Sequence, residues 1–366
     1  MSFYRGVNES KPGEPSPIGL LVAHLGTPDA PTPAALRRYL RQFLSDPRVI
    51  ELPRWKWLPV LYLFVLTTRP KTSAALYRKI WTPEGSPLFV YTRAVAHAVG
   101  AALRERLAEP LHVAVGMRYG NPSMAAALRE LAARGCRRIV VFPLYPQYSG
   151  TTTASTFDAV FAELQTWRQM PELRTVNDYH DDAGYVAALA ASIRDSWRER
   201  GRAKKLLLTF HGIPRRYVDA GDPYFAQCHE TARRVAQQLG LVADDYGVTF
   251  QSLFGKEEWL RPYTDETMKR LGAEKLASVD VLCPGFSVDC LETLEEIDGL
   301  NREFFTHAGG GEYRYIPCLN ERPDHIAHGI ETCRLADEEA RSCKSTASED
   351  HSVLCAMRNN QSFFRP

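Results

Sequence analysis

The chain alternates short runs of apolar and β-branched residues with longer segments whose apolar residues recur at helical spacing. The short runs predict eight strands, at 18–25, 111–118, 138–145, 173–179, 205–211, 248–253, 278–284 and 312–317. Helical spacing predicts helices at 32–44, 72–80, 90–107, 123–134, 183–200, 224–239, 264–272, 290–305 and 322–334. Strands that alternate with helices in this way are typical of α/β proteins with parallel sheets.

The eight predicted strands fall into two groups of four, with a seam near residues 170–180. This grouping predicts two similar α/β domains, at 16–175 and 176–335, with a cleft between them. The tail at 336–366 loses apolar periodicity, and we expect it to be mobile.

Composition limits the class of protein. Of 366 residues, 45% are hydrophobic and 24% are charged, which are ordinary globular values. The net charge of +2 gives no reason to expect a nucleic-acid partner. The polar, proline-rich N-terminus has no apolar core of a secretion signal, and the longest apolar run, 58–66, is far shorter than the roughly 20 residues that span a bilayer. We therefore expect a cytoplasmic location.

Polar side chains that could bind a ligand or take part in a reaction follow several predicted strands. In open α/β sheets, ligands bind beyond the carboxyl ends of the strands. The run "LLLTFHGIP" ends its strand at His211, and "MRYGNP" places Arg118 and Tyr119 at another strand end. None of these ends carries a glycine-rich dinucleotide motif or a phosphate-binding lysine, so we expect no nucleotide cofactor. A large, flat aromatic ligand fits the aromatic residues at these ends.

An acidic row follows the seventh predicted strand. If the chain is helical from Asp289, then Asp289, Glu292 and Glu296 fall at i, i+3 and i+7 on one face. Two interpretations are open: a solvated acidic first turn, favoured by the helix dipole, or oxygen ligands for a divalent cation or a relay for protons. His211 is either a structural histidine or a metal ligand and proton acceptor.

The segment 52–83, here called the lip, is basic and contains no acidic residue. Its cationic residues are Arg54, Lys56, Arg69, Lys71, Arg78 and Lys79. They surround the apolar run 58–66, a pattern that favours docking on an anionic membrane surface. The alternative is a core helix whose bases extend to solvent, and the bases could also pair with ligand carboxylates.

The sequence resembles the ferrochelatase family, in its bacterial form, over roughly residues 16–335. The resemblance rests on seven motifs in order: "LLVAHLGTPD", "YRKIWTPEGSPL", "MRYGNP", "FPLYPQYSGTTT", "FHGIPRRYVDAGDPY", "EEWLRPYTDE" and "PGFSVDCLETLEEID". It implies two Rossmann-like domains, each a four-stranded parallel sheet flanked by helices, with an active-site cleft between them and no nucleotide.

The resemblance also implies an enzyme, which inserts Fe²⁺ into protoporphyrin IX in the last step of haem biosynthesis, peripherally on the inner face of the membrane. His211 and Glu292 match the family's catalytic and metal-binding pair, and Asp289 and Glu296 match its proton or metal path. The porphyrin-binding positions are Leu25, Arg69, Tyr77, Ser86, Arg118, Tyr119, Trp259 and Phe286. A coproporphyrin III ferrochelatase and a non-catalytic tetrapyrrole-binding or haem-carrier protein remain alternatives, and the oligomeric state is left open.

Some members of the family carry a [2Fe–2S] cluster on cysteines. One cysteine of the eukaryotic set would fall at position 150, which is Gly150 in this chain. The remaining candidates are Cys333, Cys343 and Cys355, with Cys136 as a possible fourth ligand, and their wide spacing does not resemble the eukaryotic set. We therefore expect no cluster.

Overall fold

The computed structural model describes residues 4–6, 16–253, 255 and 257–333. All eight predicted strands are confirmed within this part of the chain. They are β1 (Ile18–Thr27), β2 (Leu111–Gly120), β3 (Arg138–Pro143), β4 (Glu172–Thr175), β5 (Lys205–His211), β6 (Tyr246–Gln251), β7 (Ser278–Leu282) and β8 (Glu312–Tyr315).

The strands form two four-stranded sheets with the same connectivity. The first has the order β2-β1-β3-β4 and the second the order β6-β5-β7-β8, and every neighbouring pair is parallel. The predicted α/β fold with two similar halves is thus confirmed. In each sheet the second strand of the half lies on one side of the first strand and the third strand lies on its other side. β1 and β5 therefore occupy equivalent central positions.

Helices cover the sheets and connect the strands. They are α1 (Pro33–Ser45), α2 (Arg54–Val60), α3 (Leu66–Ile80), α4 (Pro87–Arg104), α5 (Met124–Ala133), α6 (Ser155–Leu164), α7 (Ala183–Arg200), α8 (Arg215–Asp219), α9 (Tyr224–Leu239), α10 (Thr264–Ala273), α11 (Arg302–His307) and α12 (323–333). Three π-helical segments, Leu61–Val65, Gly150–Ala154 and Glu292–Asn301, continue directly into helices. The local signals are ordinary ones: Asp182 caps α7 by accepting from Tyr185 N at 3.0 Å.

The predicted helices need correction in several places. The lip is helical from Arg54 through Ile80, not only over 72–80, and α6 and α8 were not predicted. The lip helix packs one face on α1 and on the end of β2, where it buries Trp57, Leu61 and Tyr77. This small core attaches the lip to α1 and β2 of the first half of the molecule.

A larger core joins the two halves. It combines Phe142 of β3 and Tyr185 of α7 with Phe210 of β5, all at most 1% exposed. Because one apolar cluster contains residues from both sheets, the carboxyl ends of β1 and β5 are held at a fixed separation. The candidate site lies between those ends and the lip.

Candidate active site

His211 is the last residue of β5 and lies at the carboxyl edge of the second sheet. Its Nδ1 is 2.6 Å from the carbonyl oxygen of Gly212, so Nδ1 donates, and in the neutral imidazole the other ring nitrogen is an acceptor. The rings of Trp259 and Phe286 each lie 6.4 Å from the imidazole, between centroids. An acceptor nitrogen between two aromatic rings suits a flat aromatic ligand.

Glu292 and Glu296 belong to the π-helical segment Glu292–Asn301. A π-helix bonds residue i to i+5, so one turn takes more than four residues and these two carboxylates lie nearly above one another. The expectation of a regular helix from Asp289 is wrong, because residues 289 and 290 are not helical. The spacing of i, i+3 and i+7 therefore does not place all three acids on one face.

The end of β6 connects His211 to these carboxylates. Gln251 is the register partner of His211, and its side-chain amide donates to the Glu292 carbonyl oxygen at 3.3 Å. The next residue, Ser252, donates to Glu296 twice, from its backbone N at 2.8 Å and from Oγ at 2.5 Å. Ser252 has φ of 67°, the left-handed region that non-glycine residues rarely adopt. This conformation turns both donors toward one carboxylate.

The carboxylates and the imidazole influence one another electrostatically. Burial raises the pKa of Glu296, and the charge of Glu292 raises it further, whereas the Ser252 hydrogen bonds and the His211 charge oppose the shift. Opposite and like charges act in this way only at short range. His211, Glu292 and Glu296 therefore interact electrostatically with one another.

His211, Glu292 and Glu296 do not bring three possible ligand atoms within 4.8 Å of one another. Among the described residues, the set that does so is Asp178, His180 and Asp181. That set is engaged otherwise, since His180 pairs with Asp178 at 2.7 Å and Arg234 contacts Asp181 at 3.4 Å.

Asp289 has different surroundings from the other two acids. It is 3% exposed, and its carboxylate accepts from Tyr315 OH at 2.5 Å, Thr293 Oγ1 at 3.0 Å and Asn320 Nδ2 at 2.7 Å. These donors satisfy both carboxylate oxygens of Asp289. Tyr315 and Asn320 donate from β8 and the residues after it, and Thr293 donates from the π-helical segment.

Arg118 and Tyr119 at the end of β2 meet a residue that the sequence analysis missed. Asp46 is 4% exposed, and one oxygen accepts from Arg118, from Tyr119 OH at 2.8 Å and from Ser155 Oγ at 2.6 Å. Burial opposes ionisation, but the hydrogen bonds from Ser155, the Arg48 backbone and Tyr119, with the charge of Arg118, together lower the pKa of Asp46. The sequence did contain a signal for Asp46. An acidic residue at the C-terminal end of a helix interacts unfavourably with the helix dipole, so a cationic or hydrogen-bonding partner is expected.

Tyr119 is 1% exposed and packs edge-on against Phe43 at 5.1 Å between centroids. Its hydroxyl is occupied by Asp46 and Ser155. It therefore supports the pocket wall from behind, while Arg118 remains the more accessible of the pair.

The remaining predicted porphyrin contacts gather at the lip and at the end of β1. Ser86 accepts from Thr27 Oγ1 at 2.8 Å, and Leu25 packs on the small core under the lip. Burial raises the pKa of Tyr77, and so does the charge of Glu292. Arg69 as a whole is exposed, but nearby protein atoms desolvate its guanidinium and lower its pKa. Attraction to the charge of Glu292 partly offsets this lowering. Arg69 and Tyr77 thus face Glu292 from the lip.

The outer face of the lip is unusually apolar. Its most exposed large apolar side chains are Trp55 at 75%, Leu63 at 65% and Phe64 at 65%. In the part of the chain that the structure covers, no helix combines the length and the apolar character needed to cross a bilayer.

The two candidate cluster cysteines that the structure describes, Cys136 and Cys333, do not converge. Cys333 packs with Leu20 on one face of the first sheet and Cys136 packs with Leu21 on the other, because successive residues of β1 alternate faces. At position 150, the Gly150 backbone donates to Asp222 at 2.7 Å, and an added Cβ would lie 3.4 Å from that carboxylate oxygen. Cys343 and Cys355 lie outside the described residues.

Solved structures identify the class of fold. The chain aligns with SirB from Bacillus subtilis, solved with Fe³⁺, at a TM-score of 0.53 and 10% identity, covering 89% of this chain and 98% of that one. It aligns similarly with the sirohydrochlorin chelatase SirB from Bacillus subtilis subspecies spizizenii, in complex with cobalt, at a TM-score of 0.51 and 9% identity, covering 89% and 97% of the two chains. The two-sheet architecture is therefore the chelatase fold.

Sequence relatives identify the family. The family model described as Ferrochelatase matches residues 17–334. A ferrochelatase of Thioalkalivibrio sulfidiphilus is 57% identical over 323 residues, and one of Nitrosococcus oceani is 52% identical over 323 residues, each covering 88% of both chains. The chain belongs to the ferrochelatase family and is a metal chelatase, which confirms the resemblance seen in the sequence.

Proposed function

We propose that this chelatase inserts Fe²⁺ into protoporphyrin IX to form protohaem, as the last step of haem biosynthesis. One observation carries the proposal: the charges of His211 and Glu292 both act on the Glu296 carboxylate, and the rings of Trp259 and Phe286 each lie 6.4 Å from the imidazole of His211. Arg69 on the opposite lip supplies a cation near Glu292, where a propionate carboxylate would bind.

The chemistry requires bases on the protein. As Fe²⁺ enters the ring, the two pyrrole N–H bonds break, four N–Fe bonds form and two protons leave. His211 offers its free ring nitrogen, and Glu296 is a stronger base than an ordinary carboxylate because its pKa is raised. We propose that His211 and Glu292 act on the metal and the pyrrole protons, and that Glu296 passes protons onward, while Asp289 positions Thr293 in the π-helical segment.

An anaerobic assay with purified protein tests the substrate. Fe²⁺ is supplied with protoporphyrin IX or with coproporphyrin III, and metalloporphyrin formation is followed by visible absorption. We expect a higher kcat/KM with protoporphyrin IX. A preference for coproporphyrin III would favour the alternative ferrochelatase, and tight porphyrin binding without turnover would favour a carrier protein.

We propose that the lip rests on the cytoplasmic face of a membrane without crossing it. The exposed Trp55, Leu63 and Phe64 provide apolar area, and the surrounding bases provide attraction to anionic lipid, worth about 1 kcal/mol each near the surface. Phosphatidylglycerol vesicles should bind the protein less well as salt rises, and Phe64→Ser should weaken binding further. Val242, 65% exposed in the second half, offers the matched control Val242→Ser. Equal binding of both variants would contradict the proposal.

We also propose that the protein has no [2Fe–2S] cluster. Cys136 and Cys333 lie on opposite faces of a sheet, whereas a cluster needs four ligands that converge on two irons. Purified protein prepared without oxygen should therefore show neither stoichiometric sulfide nor visible absorption from a cluster. Iron and sulfide that disappear in Cys343→Ser would overturn this proposal.

A further inference from the structure

The segment that follows His211 crosses from the second half of the molecule to the base of the lip. After the turn at Gly212, helix α8 presents Tyr217, which is 6% exposed. Its hydroxyl donates to the Val49 carbonyl oxygen at 3.0 Å and accepts from Glu51 N at 3.3 Å. Val49 and Glu51 lie in the connection between α1 and the lip, so this tyrosine joins the catalytic histidine's own turn to the lip.

Arg216 adds a second connection at the same place. Its guanidinium donates to Glu51 Oε2 at 3.0 Å and to Glu257 Oε2 at 2.8 Å, and it lies 4.4 Å from the centre of the Tyr217 ring. Glu257 lies two residues before Trp259, in the loop that carries the aromatic wall. One side chain thus contacts the lip base, the turn after His211 and the loop before Trp259.

The strength of these contacts points to positioning and not to overall stability. Arg216, Glu51 and Glu257 are 41%, 51% and 45% exposed, and ion pairs with such exposure contribute little to folding. They do, however, join three separate segments whose relative placement defines the width of the porphyrin site. A ring bound between the lip and His211 would sense a change in that width directly.

We propose that Arg216 and Tyr217 are positioning residues that set the distance between the lip and His211, and thereby the affinity for the porphyrin. The inference rests on the proposed function, because it takes the porphyrin to lie between these two walls. It concerns binding of the ring and not the proton chemistry, since neither residue reaches Glu292 or Glu296 in the described contacts.

Steady-state kinetics with Arg216→Gln tests the inference. We expect KM for porphyrin to rise about three- to fivefold, which is a modest effect because both ion pairs lost, to Glu51 and to Glu257, are exposed. kcat should change less than twofold, KM for Fe²⁺ should stay unchanged, and Arg216→Lys should restore part of the affinity. Arg215→Gln is the matched control, because the ion pair of Arg215, at 3.0 Å, is with Asp219 of its own helix.

A double-mutant cycle separates positioning from a general loss of structure. If Arg216 acts through the lip base, Glu51→Gln combined with Arg216→Gln should raise the porphyrin KM less than the two single effects together. Tyr217→Phe, which keeps the ring and removes the bridging hydroxyl, should raise KM in the same direction. An unchanged porphyrin KM, or a loss of kcat at constant KM, would overturn the inference.

The substrate proposal fails independently of this one. If the wild-type protein metallates only coproporphyrin III, the substrate assignment is wrong, and the same comparison of Arg216→Gln with Arg215→Gln is made with that porphyrin. A rise in KM confined to Arg216→Gln supports the inference with either ring, and equal values for both variants contradict it.

Discussion

The two halves of the molecule have the same strand order but use the ends of their sheets differently. At the end of the first sheet, Arg118, Tyr119 and Ser155 all donate to the buried Asp46, so the charges there are already compensated. At the end of the second sheet, His211 keeps a ring nitrogen free and Glu296 keeps a raised pKa. A repeated fold therefore provides two equivalent edges, and the edge proposed to be reactive is the one where polar groups are left without full compensation.

The largest effect should come from His211→Ala on the reactive side. We expect kcat to fall by about 10²–10⁴, the range for loss of a positioned acid or base. The melting temperature should stay close to the wild-type value, because the side chain makes one hydrogen bond, to the neighbouring Gly212. The exposed His97 supplies the control His97→Ala, which should turn over normally. Wild-type turnover by a folded His211→Ala protein would remove this histidine from the mechanism.

Glu292→Gln should likewise reduce kcat strongly, by about 10²-fold or more, while porphyrin binding measured by fluorescence is kept. The amide retains the shape of the side chain and removes its charge. Asp289→Asn, three residues earlier, is the contrasting variant, since its carboxylate is fully hydrogen-bonded away from the cleft. It should lower thermal stability more than Glu292→Gln does. A variant of Glu292 that lost only porphyrin affinity would make it a binding residue.

On the compensated side, Asp46→Ala should destabilise the fold by about 3–5 kcal/mol, because removing one partner leaves the Arg118 charge without its buried counterion. Urea unfolding measures this loss. Asp158, an exposed partner of Arg48 in the same half, provides the control Asp158→Ala, with an expected change below about 1 kcal/mol. Similar losses of unfolding free energy in both variants would show that Asp46 does not compensate the charge of Arg118.

The smallest predicted effect concerns pH. A carboxyl group whose pKa is raised on folding favours the folded state below its unfolded pKa, and this contribution is lost as pH rises through the folded value. Glu296→Gln removes the titration, so the variant should gain thermal stability over the wild type as the pH rises above the ordinary carboxyl pKa. A stability difference that is independent of pH would show that Glu296 ionises normally.

The strands were predictable because parallel strands are buried on both faces and read as continuous apolar runs, as in β1, where almost every residue is buried. His211 could be proposed because it ends such a run, and Glu292 because it follows one within a recognisable motif. The helical start of the lip was missed, since α2 contains Pro59, which interrupts helical patterns in a sequence.

Long-range partners could not be predicted from one sequence. Asp46 meets Ser155 across 109 residues and Arg216 meets Glu51 across 165, and nothing local to either residue specifies its partner. The π-helical geometry of Glu292–Asn301 is equally a product of tertiary contacts, among them the Ser252 hydrogen bonds to Glu296. The sequence thus indicated which residue types face the cleft but not which carboxylate remained open.

The burial of the cysteines has a consequence for an enzyme that handles ferrous iron in air. The six described cysteines are Cys136, Cys228, Cys283, Cys290, Cys318 and Cys333, and all are buried. Burial raises the pKa of each thiol, so none of the six presents a thiolate to solvent. Oxidation of cysteine follows thiolate character and exposure. This part of the chain is therefore built to resist the peroxide that ferrous iron and oxygen generate together.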